Sequence, residues 1–164
     1  MSRLVATAFG IGRLPGAPGT WGSAAAIPVA WVLHGLAGFP ALALATLAAF
    51  AIGWWATARA TAGSADKDPS EIVIDEVVGQ WIALWPLSAG LWHAGADPWV
   101  FPWPGWVGAF LMFRLFDIWK PGPVGWADRR HGPLGVMLDD VVAGILAAIV
   151  VAAAAGVAHG IMGL

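Results

Sequence analysis

The chain has 164 residues, of which 59% are hydrophobic before its 22 glycines are counted and only 11% are charged. A soluble domain has about 45–50% apolar residues with glycine included and about 25% charged ones, so this composition excludes an ordinary soluble protein, a disordered chain and a polyelectrolyte. A net charge of −2 with no basic run argues against nucleic acid as a partner, and zero cysteines exclude disulfides, thiolate metal sites and cysteine nucleophiles.

Met1 to Arg13 has no long apolar core ahead of a small-residue cleavage site, so this segment is expected to stay on the mature protein. It leads into Gly10-Ile-Gly-Arg-Leu-Pro-Gly-Ala-Pro-Gly-Thr-Trp-Gly-Ser23. Glycines at Gly19 and its neighbours let backbone N–H groups converge on an anion, and Thr20 or Ser23 can cap the helix that follows. A plain turn into a helix is the alternative; the segment is not a Walker A loop, because no Lys-Ser/Thr pair follows the glycines.

Trp21 to Ala58 is uncharged and divided by Gly35, Gly38 and Pro40. Its first part, to His34 with Pro28 inside, would cover roughly 21 Å as a helix. Crossing a hydrocarbon core near 30 Å takes about 20 helical residues, so a half-inserted or re-entrant N-terminal helix is expected there. The whole stretch reads either as separate crossings or as a hairpin that dips in and returns. Val77 to Trp92, Trp99 to Phe113 and Val141 to Leu164 follow, and of the five stretches Leu36 to Ala58 and the last reach crossing length. Proline and glycine cluster at 10–22, 95–108 and 121–135, which predicts irregular segments rather than domain boundaries. The expected fold is all-α, a compact helical membrane protein of about four to six helices forming a single domain over 1–164.

Twelve tryptophans stand beside no tyrosine. Trp54, Trp55, Trp92, Trp99, Trp103 and Trp119 lie near stretch ends, which favours an interfacial belt over aromatic core packing. If each stretch crosses once, Arg3, Arg13, Arg59, Lys67, Arg114, Lys120, Arg129 and Arg130 all fall on one side. By the positive-inside rule that side is cytoplasmic.

Nine of the ten acids share that side, Asp97 being the exception, and six form groups at helix ends: Asp75 with Glu76, Asp117 with Asp128, and Asp139 with Asp140. Carboxylates beside a bilayer cost free energy unless paired or metal-bound, and a hard cation such as Mg²⁺ takes oxygen ligands together with water and phosphate. Asp75/Glu76 and Asp139/Asp140 also suit helix N-termini, where acids cap without catalysing. Asp117 lies near a helix C-terminus at Lys120-Pro121, where Arg114 can pair with it, and Asp128 can form a loop ion pair. Arg114, Lys120, Arg129 and Arg130 on the same face make phosphate binding a coherent expectation.

Four segments together carry a resemblance: Gly12-Arg-Leu-Pro-Gly-Ala-Pro-Gly-Thr-Trp-Gly-Ser23, Ile72-Val-Ile-Asp-Glu-Val-Val-Gly-Gln-Trp81, Phe113-Arg-Leu-Phe-Asp-Ile-Trp-Lys-Pro121 and Gly135-Val-Met-Leu-Asp-Asp-Val-Val-Ala-Gly144. In order and spacing, from about residue 7 to 146, they closely resemble the phosphatidylglycerophosphatase A family. The resemblance implies a Mg²⁺-dependent lipid phosphatase of the bacterial inner membrane that converts phosphatidylglycerophosphate to phosphatidylglycerol, with about six helices around a central one. One departure is His131-Gly132-Pro133-Leu134-Gly135, where the family usually has His-Gly-Gly-x-Gly; proline offers no N–H to an anion there.

The resulting expectation is a metal-assisted phosphomonoesterase. Asp75, Glu76, Asp117, Asp139 and Asp140 would hold one or two Mg²⁺, Arg114, Lys120 and Arg129 would bind phosphate oxygens with Gly19, Thr20 and Ser23, and Asp128 and Lys120 are the catalytic candidates. Direct attack by water is preferred, with an aspartyl-phosphate as the other route, and His131 reads as a loop residue. Substrates weighed beside phosphatidylglycerophosphate are other lipid phosphates such as phosphatidate. The non-enzymatic rival is a small transporter or scaffold, which has little need of carboxylates gathered with cations. A CDP-alcohol phosphotransferase lacks its spacing here. The sequence leaves the oligomeric state open.

Overall fold

The computed structural model describes residues 1–64, 66, 69–130 and 132–162. Among them are six α-helices and no strand: α1 (Ser2–Ala6), α2 (Pro18–Ala60), α3 (Ile74–His93), α4 (Trp103–Trp119), α5 (Gly122–Asp128) and α6 (Pro133–Met162), with a 3-10 turn at Ile11–Arg13. α2 and α6 are long and apolar enough to cross a bilayer. Together with the composition, they suggest a membrane protein.

α2 is not one rod. Ala37 (φ −152°, ψ 26°) and Gly38 (φ 67°, ψ −161°) leave helical geometry, the second in a region open essentially to glycine. The arms 18–36 and 39–60 form a hairpin against α3. Gly22 packs at Val73 and Gly38 at Trp92, and the return arm brings Gly53 back to Ile74. Hydrogen bonds fix the register: Trp81 Nε1 donates to the Ala26 carbonyl (2.9 Å), Trp85 Nε1 to Thr46 Oγ1 (3.2 Å), and His34 Nδ1 pairs with Ser88 Oγ at 2.8 Å. The hairpin alternative for Trp21 to Ala58 therefore holds, and its turn is at Gly38.

α3 is the central helix, with Val77 to Leu84 buried without interruption. The α3–α6 crossing is built on glycine: a Cβ at Gly144 would lie 2.5 Å from the Gly79 carbonyl oxygen, and one at Gly79 would lie 2.6 Å from that of Asp140. Close backbone approach of this kind replaces the hydrophobic drive that lipid does not supply.

The chain thus runs out and back in α2, out in α3, back in α4 and out in α6. The described cationic side chains stay at the end where α3 and α6 begin. Lys67 lies outside the described residues. Exposed tryptophans occupy both ends, Trp54, Trp55 and Trp119 at the cationic one and Trp92, Trp99 and Trp103 at the other, as a belt requires.

Two expectations need correction. The segment 121–135 is not irregular, because Pro121 caps α5 and Pro133 opens α6 at the first helical position, where a missing N–H costs nothing. Pro133 is thereby accommodated. For the same reason Asp139 and Asp140 lie beyond the first turn of α6, and helix capping is excluded for them.

Candidate metal and phosphate site

At the cationic end the first turns of α2 and α3, the end of α4 and the start of α6 enclose a cleft of about 400 Å³. Its acids are Asp75, Glu76, Asp117, Asp139 and Asp140, and its cations are Arg114 and Lys120. Gly19 is on its wall. Four segments distant in sequence meet here.

Local structure explains the convergence. The Val73 N–H donates to the Ala6 carbonyl (3.0 Å), tying the start of α3 to α1. Arg3 and Arg13 clamp Glu71 through Nε at 2.8 and 3.2 Å, and the guanidinium of Arg3 first, then Arg13, holds the Glu71 carboxyl below its ordinary range. Asp75 and Glu76 then occupy the first turn of α3, where Asp75 Oδ1 accepts from the Glu76 N–H at 3.1 Å. Acids suit this turn, yet no side chain caps it, and Asp75 is buried. Gly19 stands so close to the Glu76 carboxylate and Arg114 Nη1 that a Cβ would collide. The glycine-rich segment is thus more than a turn.

One carboxylate oxygen from each of Asp75, Glu76 and Asp140 falls within 4.8 Å of the others. Glu76 Oε2, Asp140 Oδ1 and Asp139 Oδ1 are buried with no hydrogen-bond donor, and so is Arg114 Nε without an acceptor. Such orphans cost stability unless a ligand meets them. Oxygen-only donors on a few carboxylates fit a hard divalent cation, with room for water and phosphate.

The cations are held by acids. Arg114 donates to Asp117 across one turn of α4, as its spacing predicts. Lys120 terminates α4 in the left-handed conformation (φ 50°) and bridges Asp128 and Asp139, the latter at 2.8 Å. Burial opposes its charge, but the two carboxylates outweigh that and raise its pKa above the ordinary lysine value.

Other expected residues are placed differently. α2 starts at Pro18, with Ala17 as its N-cap, so neither Thr20 nor Ser23 caps it. Ser23 is buried with its Oγ donating to the Gly19 carbonyl at 2.8 Å, whereas the Thr20 backbone belongs to the first turn, ahead of the Trp21 N–H bond to Ala17. Asp128 reaches the site only through Lys120, and Arg129 is exposed on the α5–α6 corner outside the cleft lining. Arg130 stacks on Trp126 at 4.1 Å from the ring centre. His131 lies outside the described residues. Sequence reasoning missed Ser70, Ile72 and Val136 on the cleft wall, and Gln80, fully buried with both amide atoms unpartnered. Gln80 falls one turn beyond Glu76, a spacing that could have drawn notice.

A family model described as "Phosphatidylglycerophosphatase A" matches residues 4–155. The chain is 37% identical over 147 residues to the "Phosphatidylglycerophosphatase A" of Escherichia coli (strain K12), covering 88% of this chain and 78% of that protein. Against the protein of the same name from Haemophilus influenzae the identity is 36% over 149 residues, 90% and 85% of the two chains. It is also 39% identical over 158 residues to a "Putative phosphatidylinositol-3-phosphatase" of Bacteroides thetaiotaomicron, covering 92% and 91%. No solved structure matches the chain.

Proposed function

The chain belongs to the phosphatidylglycerophosphatase A family and is a phosphatase, and we propose that it hydrolyses the terminal phosphomonoester of phosphatidylglycerophosphate, releasing phosphatidylglycerol and phosphate. The observation that carries this reading is the convergence of the Asp75, Glu76 and Asp140 oxygens, within 4.8 Å, beside Arg114 and Lys120 in one cleft.

Mg²⁺ is the cation the donor set suits best, and Asp75, Glu76 and Asp140 would hold it, with Asp117 and Asp139 close by. Bound there, it would screen phosphate charge and lower the pKa of a water. Arg114 offers a planar fork to phosphate oxygens and Lys120 a point charge. Backbone N–H groups of Gly19 and Thr20 add the positive end of α2, and Ser23 secures that turn through the Gly19 carbonyl. Asp128 and Asp139 keep Lys120 charged and aimed at the mouth of the cleft, where it stabilises negative charge as the ester bond breaks. Arg129, outside, meets the remainder of the headgroup. Direct attack of water on phosphorus is the preferred route, since the chain has no thiol and His34 and His93 belong to the far half of the bundle, with an aspartyl-phosphate on one of the clustered acids as the other route. The cationic end faces the cytoplasm of a bacterial inner membrane by the positive-inside rule.

The test is phosphate release from a panel of phosphatidylglycerophosphate, phosphatidate and phosphatidylinositol 3-phosphate, with Mg²⁺ or with EDTA. Fastest release from phosphatidylglycerophosphate, abolished by EDTA, is expected. Preference for phosphatidylinositol 3-phosphate would favour the second reading, that of the Bacteroides relative's name. Undiminished turnover in EDTA would remove the metal from the mechanism.

A further inference from the structure

Gln80 is fully buried in α3, and neither atom of its amide is paired among the described residues. A primary amide brings two donor hydrogens and an acceptor, and burying it with none of them matched lowers stability. Methionine would fill the same length without that penalty. Two further unpartnered groups stand near this amide. Glu76 Oε2 is buried without a donor, and Arg114 Nε is buried without an acceptor. Both side chains flank Gly19, where a Cβ would collide with the Glu76 carboxylate and lie 3.1 Å from Arg114 Nη1.

Helix geometry relates the three groups. Gln80 follows Glu76 by four residues, about 40° around the axis of α3, and Cβ atoms at that spacing are about 5–6 Å apart. Helical side chains lean toward the N-terminus, so Gln80 leans toward the turn that carries Glu76. α4 passes at the same level, because a Cβ on Gly79 would strike the ring of Phe113, the neighbour of Arg114. An amide N–H suits Glu76 Oε2, and the amide oxygen suits Arg114 Nε. Other polar groups close by are engaged: Trp81 Nε1 donates to the Ala26 carbonyl and Ser23 Oγ to that of Gly19. Thr57 Oγ1 is a further buried orphan, but the return arm 39–60 packs on the Ile74 side of α3, about 120° around the helix from Gln80.

We propose that Gln80 is a positioning residue of the site: from beneath the cleft its amide holds the Glu76 carboxylate in the orientation that binds the cation, and the Arg114 guanidinium in the orientation that meets phosphate. Gln80 is not among the residues that line the cleft, so it acts through these two side chains. The inference rests on the metal-dependent phosphatase reading and deepens it. The rival is a core residue without influence on the site.

Gln80→Met keeps the length and removes donors and acceptor. With EDTA present, this variant should melt in detergent no lower than wild type. On titration with Mg²⁺ alone, the concentration at which the melting temperature begins to rise should increase at least ~10-fold. Phosphate release at saturating Mg²⁺ should fall ~10–100-fold, the range for loss of a group that orients a metal ligand. Gln80→Asn keeps the amide but withdraws it by one carbon; it should show the same two shifts, and it decides the matter if Gln80→Met does not fold. Ser88→Ala is the control: it breaks the buried pair with His34 in the far half of the bundle, and should lower the melting temperature in EDTA while leaving the onset of the Mg²⁺ response in place. An unchanged onset in the Gln80 variants, or an equal shift in Ser88→Ala, overturns the proposal. A wild type whose melting ignores Mg²⁺ and whose phosphate release survives EDTA sinks the metal reading and this proposal with it. A wild type that responds to both, beside Gln80 variants that respond identically, sinks this proposal alone.

Discussion

Asp140 distinguishes a catalytic site from a helix end most sharply. It is buried beyond the first turn of α6 with one oxygen unpartnered, beside two further acids. Asp140→Asn keeps the shape and removes one negative charge from the cluster. Phosphate release at saturating Mg²⁺ should fall by at least ~100-fold, as expected for loss of a metal ligand, while the melting temperature in detergent stays level or rises. A variant with a near wild-type rate would return Asp140 to a structural role. Glu71 gives a pH-dependent counterpart away from the chemistry. Its folded pKa lies below its unfolded one, so its stabilisation is fully present above the unfolded value and is lost as pH falls through the folded one. Arg3 and Arg13 are mostly exposed, so the clamp contributes no more than about 1 kcal/mol. Glu71→Gln should therefore lower the melting temperature slightly at pH 7, and the difference from wild type should shrink as pH falls below the ordinary glutamate range and vanish once the folded carboxyl is protonated.

Among the elements, the α3–α6 crossing positions the proposed metal ligands, because Asp140 comes beside Asp75 where Gly79 and Gly144 let the backbones approach. Gly144→Leu has no room at that contact and should cost about 1–3 kcal/mol by overpacking. It should also abolish activity by separating α3 from α6. Loss of both melting temperature and rate would set it apart from Asp140→Asn, which loses only the rate. A Gly144→Leu protein as active as wild type would show that the crossing does not place the site.

For the whole molecule, the gathering of cations at the cleft end predicts its orientation. The chain has no cysteine, so introduced ones report without background. In intact cells a cysteine replacing Asp97, between α3 and α4, should react with an impermeant maleimide from outside, and one replacing Arg129 should react only after permeabilisation. The reverse pattern would invert the orientation. The hairpin of α2 matters to this outcome, since it returns the chain to the cleft end before α3 begins and leaves α3, α4 and α6 to alternate.

Composition and spacing by themselves pointed to an all-helical membrane protein with its cations at one end, and to Asp75, Glu76, Asp117, Asp139 and Asp140 as a group with Arg114 and Lys120, which line one cleft in the structure. Charges are so scarce in an apolar chain that each one is a signal, and Gly35, Gly38 and Pro40 together could be read as dividing Trp21 to Ala58, though not which of them makes the turn. The helix boundaries were less legible. Proline at a first helical position looks in sequence like proline in a loop, so α5 and the true start of α6 stayed hidden, and with them the evidence that Asp139 and Asp140 do not cap. Only the tertiary structure decided which acids share a cleft, that Asp128 reaches it through an ion pair with Lys120, and that Ser23 is spent on the Gly19 carbonyl. Those outcomes depend on backbone approach between helices far apart in sequence, set by glycine contacts such as Gly79 with Gly144, and no local periodicity encodes which glycines will meet.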